Sequence, residues 1–271
     1  MNYHPNLKRN NTSNYRCMKT HFKHINRCLK ISIISIILCF SMSYQNSVLS
    51  QIIVDNYIDV GRNNISEGVY SEFSTTISKH FGIFNASTGA LLSYSNANKN
   101  IFSAYSLSVS RDVLKIRKHT VNLNVIYLWK PFSEDLREYN VGVFAEYRTK
   151  HFCQTLGFNS QLYRFTHAAK VKYNFPDSIN TIVWLPFNFM YKFSFYQPIN
   201  KKLNMEVRVT NFDTYTILQD IYPVILTKFT YNLNSKVQLY SQLCYMQTGL
   251  MGIRVNYFGY YLRGGVLWQI K

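Results

Sequence analysis

From Tyr257 to Lys271 the sequence reads YFGYYLRGGVLWQIK, and its even positions are Phe258, Tyr260, Leu262, Gly264, Val266, Trp268 and Ile270. The odd positions are Gly259, Tyr261, Arg263, Gly265, Leu267 and Gln269. Successive side chains of a strand point to opposite faces, so a period of two sets an oily face against one that is mostly small or polar. A helix does not fit, because Arg263 and Gln269 would interrupt any stripe of period 3.6. What the oily face meets decides the class of protein.

The same period recurs along most of the chain. LNMEVRVT sets Leu203, Met205, Val207 and Val209 against Asn204, Glu206, Arg208 and Thr210. YNVGVFAEYRTKH sets Val141, Val143, Ala145 and Tyr147 against Gly142, Glu146, Arg148 and Lys150, with Phe144 as an apolar intruder. Val121, Leu123, Val125, Tyr127 and Trp129 share a face. So do Val183, Leu185, Phe187, Phe189, Tyr191, Phe193 and Phe195, opposite Asn188, Lys192 and Ser194. About twelve strands are predicted, over 66–79, 82–95, 101–114, 119–131, 139–151, 153–165, 181–196, 201–212, 222–233, 236–248, 249–256 and 257–270. The segments 82–95 and 249–256 have the weakest pattern, so ten is the alternative. Pro186 cannot donate a ladder hydrogen bond and marks a bulge or a break. Residues 51–65 show no sustained period and read as a short N-terminal segment. No 10–15-residue helical pattern intervenes, which argues against βαβ units.

Residues 19–50 differ from the rest. A basic stretch precedes an apolar run from Ile31 to about Met42, and a polar stretch ends at Val48-Leu49-Ser50. These are the parts of a cleavable secretory signal, and cleavage after Ser50 would leave Gln51 first. The apolar run of about a dozen residues is short of the ~20 needed to span a bilayer as a helix. Met18 is the better start for such a signal, which makes residues 1–17 a non-native extension and 18–50 the signal peptide. Three of the five cysteines fall in this region, leaving Cys153 and Cys244 with no metal-ligand spacing and pairing open.

Charge needs the same partition. The formal net charge is +17, but residues 1–50 hold seven Lys/Arg and no acid, leaving 23 basic against 13 acidic residues. No clustered Lys/Arg patch with aromatic platforms and no recognition helix is visible, so nucleic acid is not an expected partner. Charged residues are 16% of the chain, below the roughly 25% usual in soluble domains. Several strands run to a dozen residues, beyond the usual 5–6. Their polar faces carry side chains that require water, namely Glu146, Arg148, Lys150, Lys192, Glu206, Arg208, Lys228, Arg254 and Arg263. Tyr127, Trp129, Tyr139, Tyr147, Tyr260 and Trp268 sit towards strand ends, as aromatic residues do at the two rims of a membrane band. Phe187, Phe189, Phe193 and Phe258 belong to the apolar face. These features, with an export signal, predict an all-β transmembrane antiparallel up-and-down barrel over 66–271, with the charges lining its lumen.

Arg263-Gly264-Gly265-Val266-Leu267-Trp268-Gln269-Ile270 resembles the C-terminal strand signal of Gram-negative outer-membrane β-barrel proteins. That signal runs polar, any, Gly, any, any, aromatic, any, aromatic or apolar. Arg263, Gly265 and Trp268 match it, and Ile270 stands where Phe is commoner. The resemblance implies an outer-membrane location, lipid around the barrel, and the secretion and barrel-assembly machinery as partners during biogenesis. A sheet crossing lipid must pair every backbone group, so it closes on itself.

For function the sequence offers three expectations. The leading one is porin-like passage of small solutes with a bias towards anions, from the basic excess among the inward charges. The second is a plugged barrel with a structural, adhesion or assembly role. The third, a barrel enzyme acting on lipid or glycan, has only His80, His119, His151 and His167 to draw on, at no distinctive spacing, so no catalytic residue is assigned. No zinc, calcium or phosphate-loop pattern appears, and no cofactor or metal is expected.

Overall fold

The structure, a computed structural model, describes residues 51–63, 69–94, 102–116, 118–131, 135–176, 181–217, 223–248 and 256–270. The proposed extension and signal peptide lie outside them. The described chain forms β1 (Ile52–Asn63), β2 (Val69–Phe81), β3 (Phe84–Ser93), β4 (Phe102–Ile116), β5 (His119–Lys130), β6 (Leu136–Arg148) and β7 (Phe152–Phe165). A short helix α1 (His167–Lys172) follows, then β8 (Ile182–Pro198), β9 (Leu203–Thr210) and a two-residue pair, β10 (Phe212–Asp213) and β11 (Thr216–Ile217). β12 (Val224–Asn232), β13 (Val237–Thr248) and β14 (Asn256–Ile270) complete it.

Twelve of these strands close a barrel in the order β1-β14-β13-β12-β9-β8-β7-β6-β5-β4-β3-β2, and every neighbouring pair is antiparallel. The last strand pairs the first from Ile52↔Ile270 to Asn63↔Gly259, so neither has a free edge. A 12-residue strand rises about 40 Å and, tilted by about 40°, spans about 30 Å, the thickness of a bilayer core. Among the described residues no helix is long and apolar enough to cross a membrane.

One expectation is corrected. Residues 51–65 are not a leading segment, because β1 begins at Ile52 and closes the barrel. Its period is present: Asp55, Tyr57, Asp59 and Gly61 face inward, against Val54, Ile58 and Val60. An inward Tyr57 and an outward Asn56 hide it from a hydropathy reading. The predicted strand 249–256 falls almost wholly outside the described residues, so β1 supplies the twelfth strand.

Pro186 does sit at a bulge. Asn159 pairs with Asn188 and Gln161 with Leu185, so Pro186 and Phe187 together oppose Ser160. The extra residue changes which face each side chain takes. Leu185 turns to the inner face, against the sequence reading, and Trp184 turns outward, where its indole N–H donates to Ser160 Oγ at 2.9 Å.

Outside, the wall of described residues is apolar and exposed. Val143 (54%), Phe158 (58%), Leu243 (58%) and Leu262 (54%) are each more than half exposed. An apolar belt on this scale needs a lipid solvent. The connections sort by length as well. Those following β2, β4, β6, β8 and β12 are two to four residues long and share one end with Ile52 and Ile270. The connections following β1, β3, β5, β7, β9 and β13 are longer and lie at the other end.

Candidate functional site: the lumen and its inward hairpin

Of the nine predicted lumen residues, seven face inward, six of them in ion pairs and Lys228 over an aromatic ring. Glu146 receives Lys192 at 2.6 Å and Arg148 at 2.5 Å, and Thr155 Oγ1 donates to it at 3.2 Å. Arg208 donates to Glu206 through Nη2 at 2.7 Å and Nε at 2.8 Å. Lys228 Nζ lies 3.9 Å from the centre of the Tyr240 ring, whose hydroxyl donates to Asp55 at 2.7 Å. Lys150 is corrected: β6 ends at Arg148, and Lys150 stands exposed in the β6–β7 turn, which Thr149 closes through backbone and hydroxyl bonds to Phe152. Arg254 lies outside the described residues.

Arg263 joins more groups than any other lumen residue. Its Nε and Nη2 donate to the two oxygens of Asp59 at 2.7 and 2.8 Å, the forked geometry that suits guanidinium to carboxylate. Nη2 also reaches Asp213 at 3.0 Å, and the guanidinium lies 3.8 Å over the Tyr57 ring. Asp59 and Arg263 are register partners on β1 and β14, so this cluster ties the seam where the barrel closes.

Asp213 belongs to a feature that sequence reasoning missed. After β9 the chain does not leave the lumen; residues 211–217 turn into it, with β10 and β11 as a tight hairpin. Asn211 anchors the turn, its amide donating to Phe189 O at 2.6 Å and its carbonyl oxygen accepting from Tyr191 N at 2.8 Å. Phe212 packs on Phe144 of β6, with ring centroids 5.5 Å apart. The hydroxyl of Tyr215 lies 3.2 Å from Ser74 Oγ and 3.1 Å from Thr76 Oγ1 on β2. The hairpin thus leaves the wall between β9 and β12 and touches β6, β14 and β2. Around it lies one buried apolar cluster: Tyr57, Leu91, Ala104, Leu128, Met190, Phe212, Tyr215 and Tyr240. Gly89 leaves the space that Tyr215 enters, because a Cβ there would collide with its hydroxyl.

Further acids share the lumen. Glu138, 2% exposed, accepts from Asn140 at 2.7 Å and from Gln161 at 2.6 Å, while Asp55, Asp59 and Glu72 face inward from β1 and β2. Basic and acidic groups are unevenly placed. Arg148, Lys192, Arg208 and Lys228 lie on β6, β8, β9 and β12, against Glu138, Glu146 and Glu206 on the same wall. The acids of β1 and β2 face them across much of the ring. Sequence reading missed this second group because β1 was set aside, Glu72 was not singled out on the predicted strand 66–79, and Asp213 fell between the predicted strands 201–212 and 222–233.

The aromatic rims are in place on the outer face. Tyr127, Trp129 and Tyr139 are outward towards the long-loop end, where Trp129 and Phe102 have ring centroids 5.8 Å apart. Tyr147, stacked on His119, and Trp268, 50% exposed, lie near the short-turn end. Phe187, Phe189, Phe193 and Tyr260 are exposed on the outer wall, while the side chain of Phe258 lies outside the described residues. Gly265, matched above to the assembly signal, has a packing role too, since a Cβ there would enter the Tyr240 ring. Ile270 ends β14 opposite Ile52. Cys153 and Cys244 are buried and free, on β7 and β13. The histidines are dispersed: His80 bonds Asn85, His119 bonds Tyr147, His151 bonds Tyr196 O, and His167 opens α1. Outside the barrel, Lys172 and Tyr173 both donate to Asp135 at 2.9 Å, which holds that carboxyl below the usual range and latches α1 to the β5–β6 loop.

No protein-family model matches the sequence, and neither does any curated protein. Solved structures do resemble it in fold. The KdgM porin in complex with disordered oligogalacturonate superposes with a TM-score of 0.53 at 9% identity, over 81% of this chain and 99% of that one. The KdgM porin alone gives 0.50 at 8% identity, over the same shares of 81% and 99%. The NanC porin gives 0.49 at 12% identity, over 79% and 100%. At such identities the likeness is one of fold, a closed antiparallel barrel such as these porins have.

Proposed function

We propose that this chain is an outer-membrane channel of porin type, narrowed by its inward hairpin, that passes small solutes and favours anions. The observation that carries the reading is the charged wall inside a barrel whose outside is apolar. Ionic groups kept inward need water or each other, and Arg148 has 59% of its side chain exposed although it pairs with Glu146. On that wall four cations face the lumen against three glutamates, Glu138, Glu146 and Glu206, a local excess of one that favours anions. The fold relative solved with oligogalacturonate, a polyanion, supports the same class of cargo for this chain.

A second reading has its own observation. The apolar cluster around the hairpin reaches strands on several sides of the ring, which would make the protein a plugged barrel with a structural or adhesive role. Planar bilayers separate the two. Refolded protein under a salt gradient is expected to show discrete current steps with a reversal potential of the sign for anion preference, weakened when Arg148, Lys192 and Arg208 become Gln. Absence of current under every condition, including after removal of the hairpin, discards the channel and leaves the plugged barrel. Lipid- and glycan-hydrolysis assays test the remaining enzyme reading.

A further inference from the structure

The topology gathers a charge pattern that is scattered in the sequence. All five short turns lie at one end of the barrel, and no described residue within them is Asp or Glu; the nearest acids on the flanking strands are Glu146 and Glu206, which face the lumen, and Asp112, which accepts from Asn122. Cations stand in or near them instead, each accompanied by an exposed large apolar side chain. Lys79, three residues before the β2–β3 turn on β2, accompanies Ile83 (56% exposed) in it, and Lys115 and Ile116 (56%) at the end of β4 accompany Lys118 in the β4–β5 turn. The β6–β7 turn has Lys150 with Phe152 (36%). The β8–β9 turn has Lys201 and Lys202 with Ile199 (51%), and the β12–β13 turn has Lys236 with Leu233 (52%). On the outer wall just above, Lys79 Nζ lies 4.8 Å from the Phe81 ring centre and the Arg111 guanidinium 5.7 Å from that of Phe84.

We propose that this rim is a binding surface for the anionic headgroups of the phospholipids in the adjacent leaflet. A ring of cations alone would suit any polyanion. The apolar turn residues decide among them, because a water-facing turn gains nothing from an exposed Ile or Leu. In a headgroup layer the same pair is favourable, with the apolar side chain in the acyl boundary and the cation on a phosphate. Each Lys or Arg near an anionic bilayer surface strengthens attachment, on the order of fivefold per charge. In bacterial barrels the short turns face the periplasm, so the leaflet is the periplasmic one. The ring would set the depth and tilt of the barrel there. This inference rests on the membrane placement proposed above and not on solute passage.

Trp268 is a natural reporter, since it lies on the outer wall and Gln269 N–H bonds Lys236 O at 2.8 Å. Trp129 and Trp184, the other two tryptophans, are changed to Phe. Quenching of Trp268 by brominated phosphatidylglycerol and by brominated phosphatidylcholine then compares the lipids at this rim. Preference for phosphatidylglycerol is expected to be at least about threefold. It should fall towards one when Lys79, Arg111, Lys150, Lys201, Lys202 and Lys236 are changed to Gln, and persist when Lys170 and Lys172, at the other end, are changed instead. Equal quenching by both lipids after normal insertion overturns the inference and leaves the barrel reading standing. So does a preference that survives in the six-site variant. Binding of soluble polyphosphate to the inserted protein with no lipid preference reassigns the ring to a soluble partner. Failure to insert into either bilayer overturns the membrane placement along with it.

Discussion

Replacing residues 212–217 by a Gly-Ser linker of equal length is expected to raise mean conductance by at least about threefold, because it clears the segment that crosses the lumen. The energetics of the hairpin set the scale. Phe212 (8% exposed) and Tyr215 (3%) are buried apolar bodies, worth roughly 1.5–3 kcal/mol each. The hydroxyl bonds of Tyr215 and the Asp213–Arg263 contact add about 1 kcal/mol apiece in net terms. Against this stands the ordering of a six-residue segment, which costs about 1–2 kcal/mol per residue. The two sides are of comparable size, so brief openings are expected in the intact protein. Tyr215→Phe keeps the ring and removes its hydrogen bonds, and a loss of about 1.4 kcal/mol would raise open time about tenfold. Single-channel recording reads both changes. Equal conductance in the linker variant and the intact protein would show that the hairpin does not limit flow.

That segment also marks where the sequence stopped being legible. Strands such as β9 and β6 declare themselves, since their outer faces are apolar and their inner faces carry Glu206 with Arg208 and Glu146 with Arg148. Two chemically different solvents, lipid outside and water inside, write a period of two into any strand that separates them. The rule weakens where the lumen is itself apolar. Inward Tyr57 on β1, Leu128 on β5 and Met190 on β8 belong to the buried cluster around the hairpin, and they blur the alternation that should have revealed β1. Residues 211–217 carry no period at all, because a hairpin inside a barrel has no lipid face. Its signal was instead two aromatic residues, Phe212 and Tyr215, around Asp213, at and just past the end of the predicted strand 201–212. The pairing of inward charges was hidden for a related reason. Partners such as Asp59 and Arg263 lie 204 residues apart, and only the closing register brings them together.

Arg263→Met is expected to cost about 3–5 kcal/mol of folding free energy, the largest loss from any single change in the lumen. The side chain is 9% exposed and faces Asp59, 4% exposed, so its removal leaves one buried carboxylate unpaired and Asp213 deprived of its near cation. Arg263→Lys restores charge without the fork and should recover only part of the loss. Adding Asp59→Asn to Arg263→Met removes the stranded charge and should recover more. The measurement is the urea midpoint of protein refolded into vesicles, together with the temperature at which the unboiled gel band shifts to the unfolded position. The same residue stands at the polar position of the segment that resembles a C-terminal assembly signal, and refolding without any machinery separates the two roles. If Arg263 serves recognition alone, the purified variant refolds with an unchanged midpoint and fails only in cells. If it ties β1 to β14, the midpoint falls in the absence of any partner, and the seam opens before the rest of the wall.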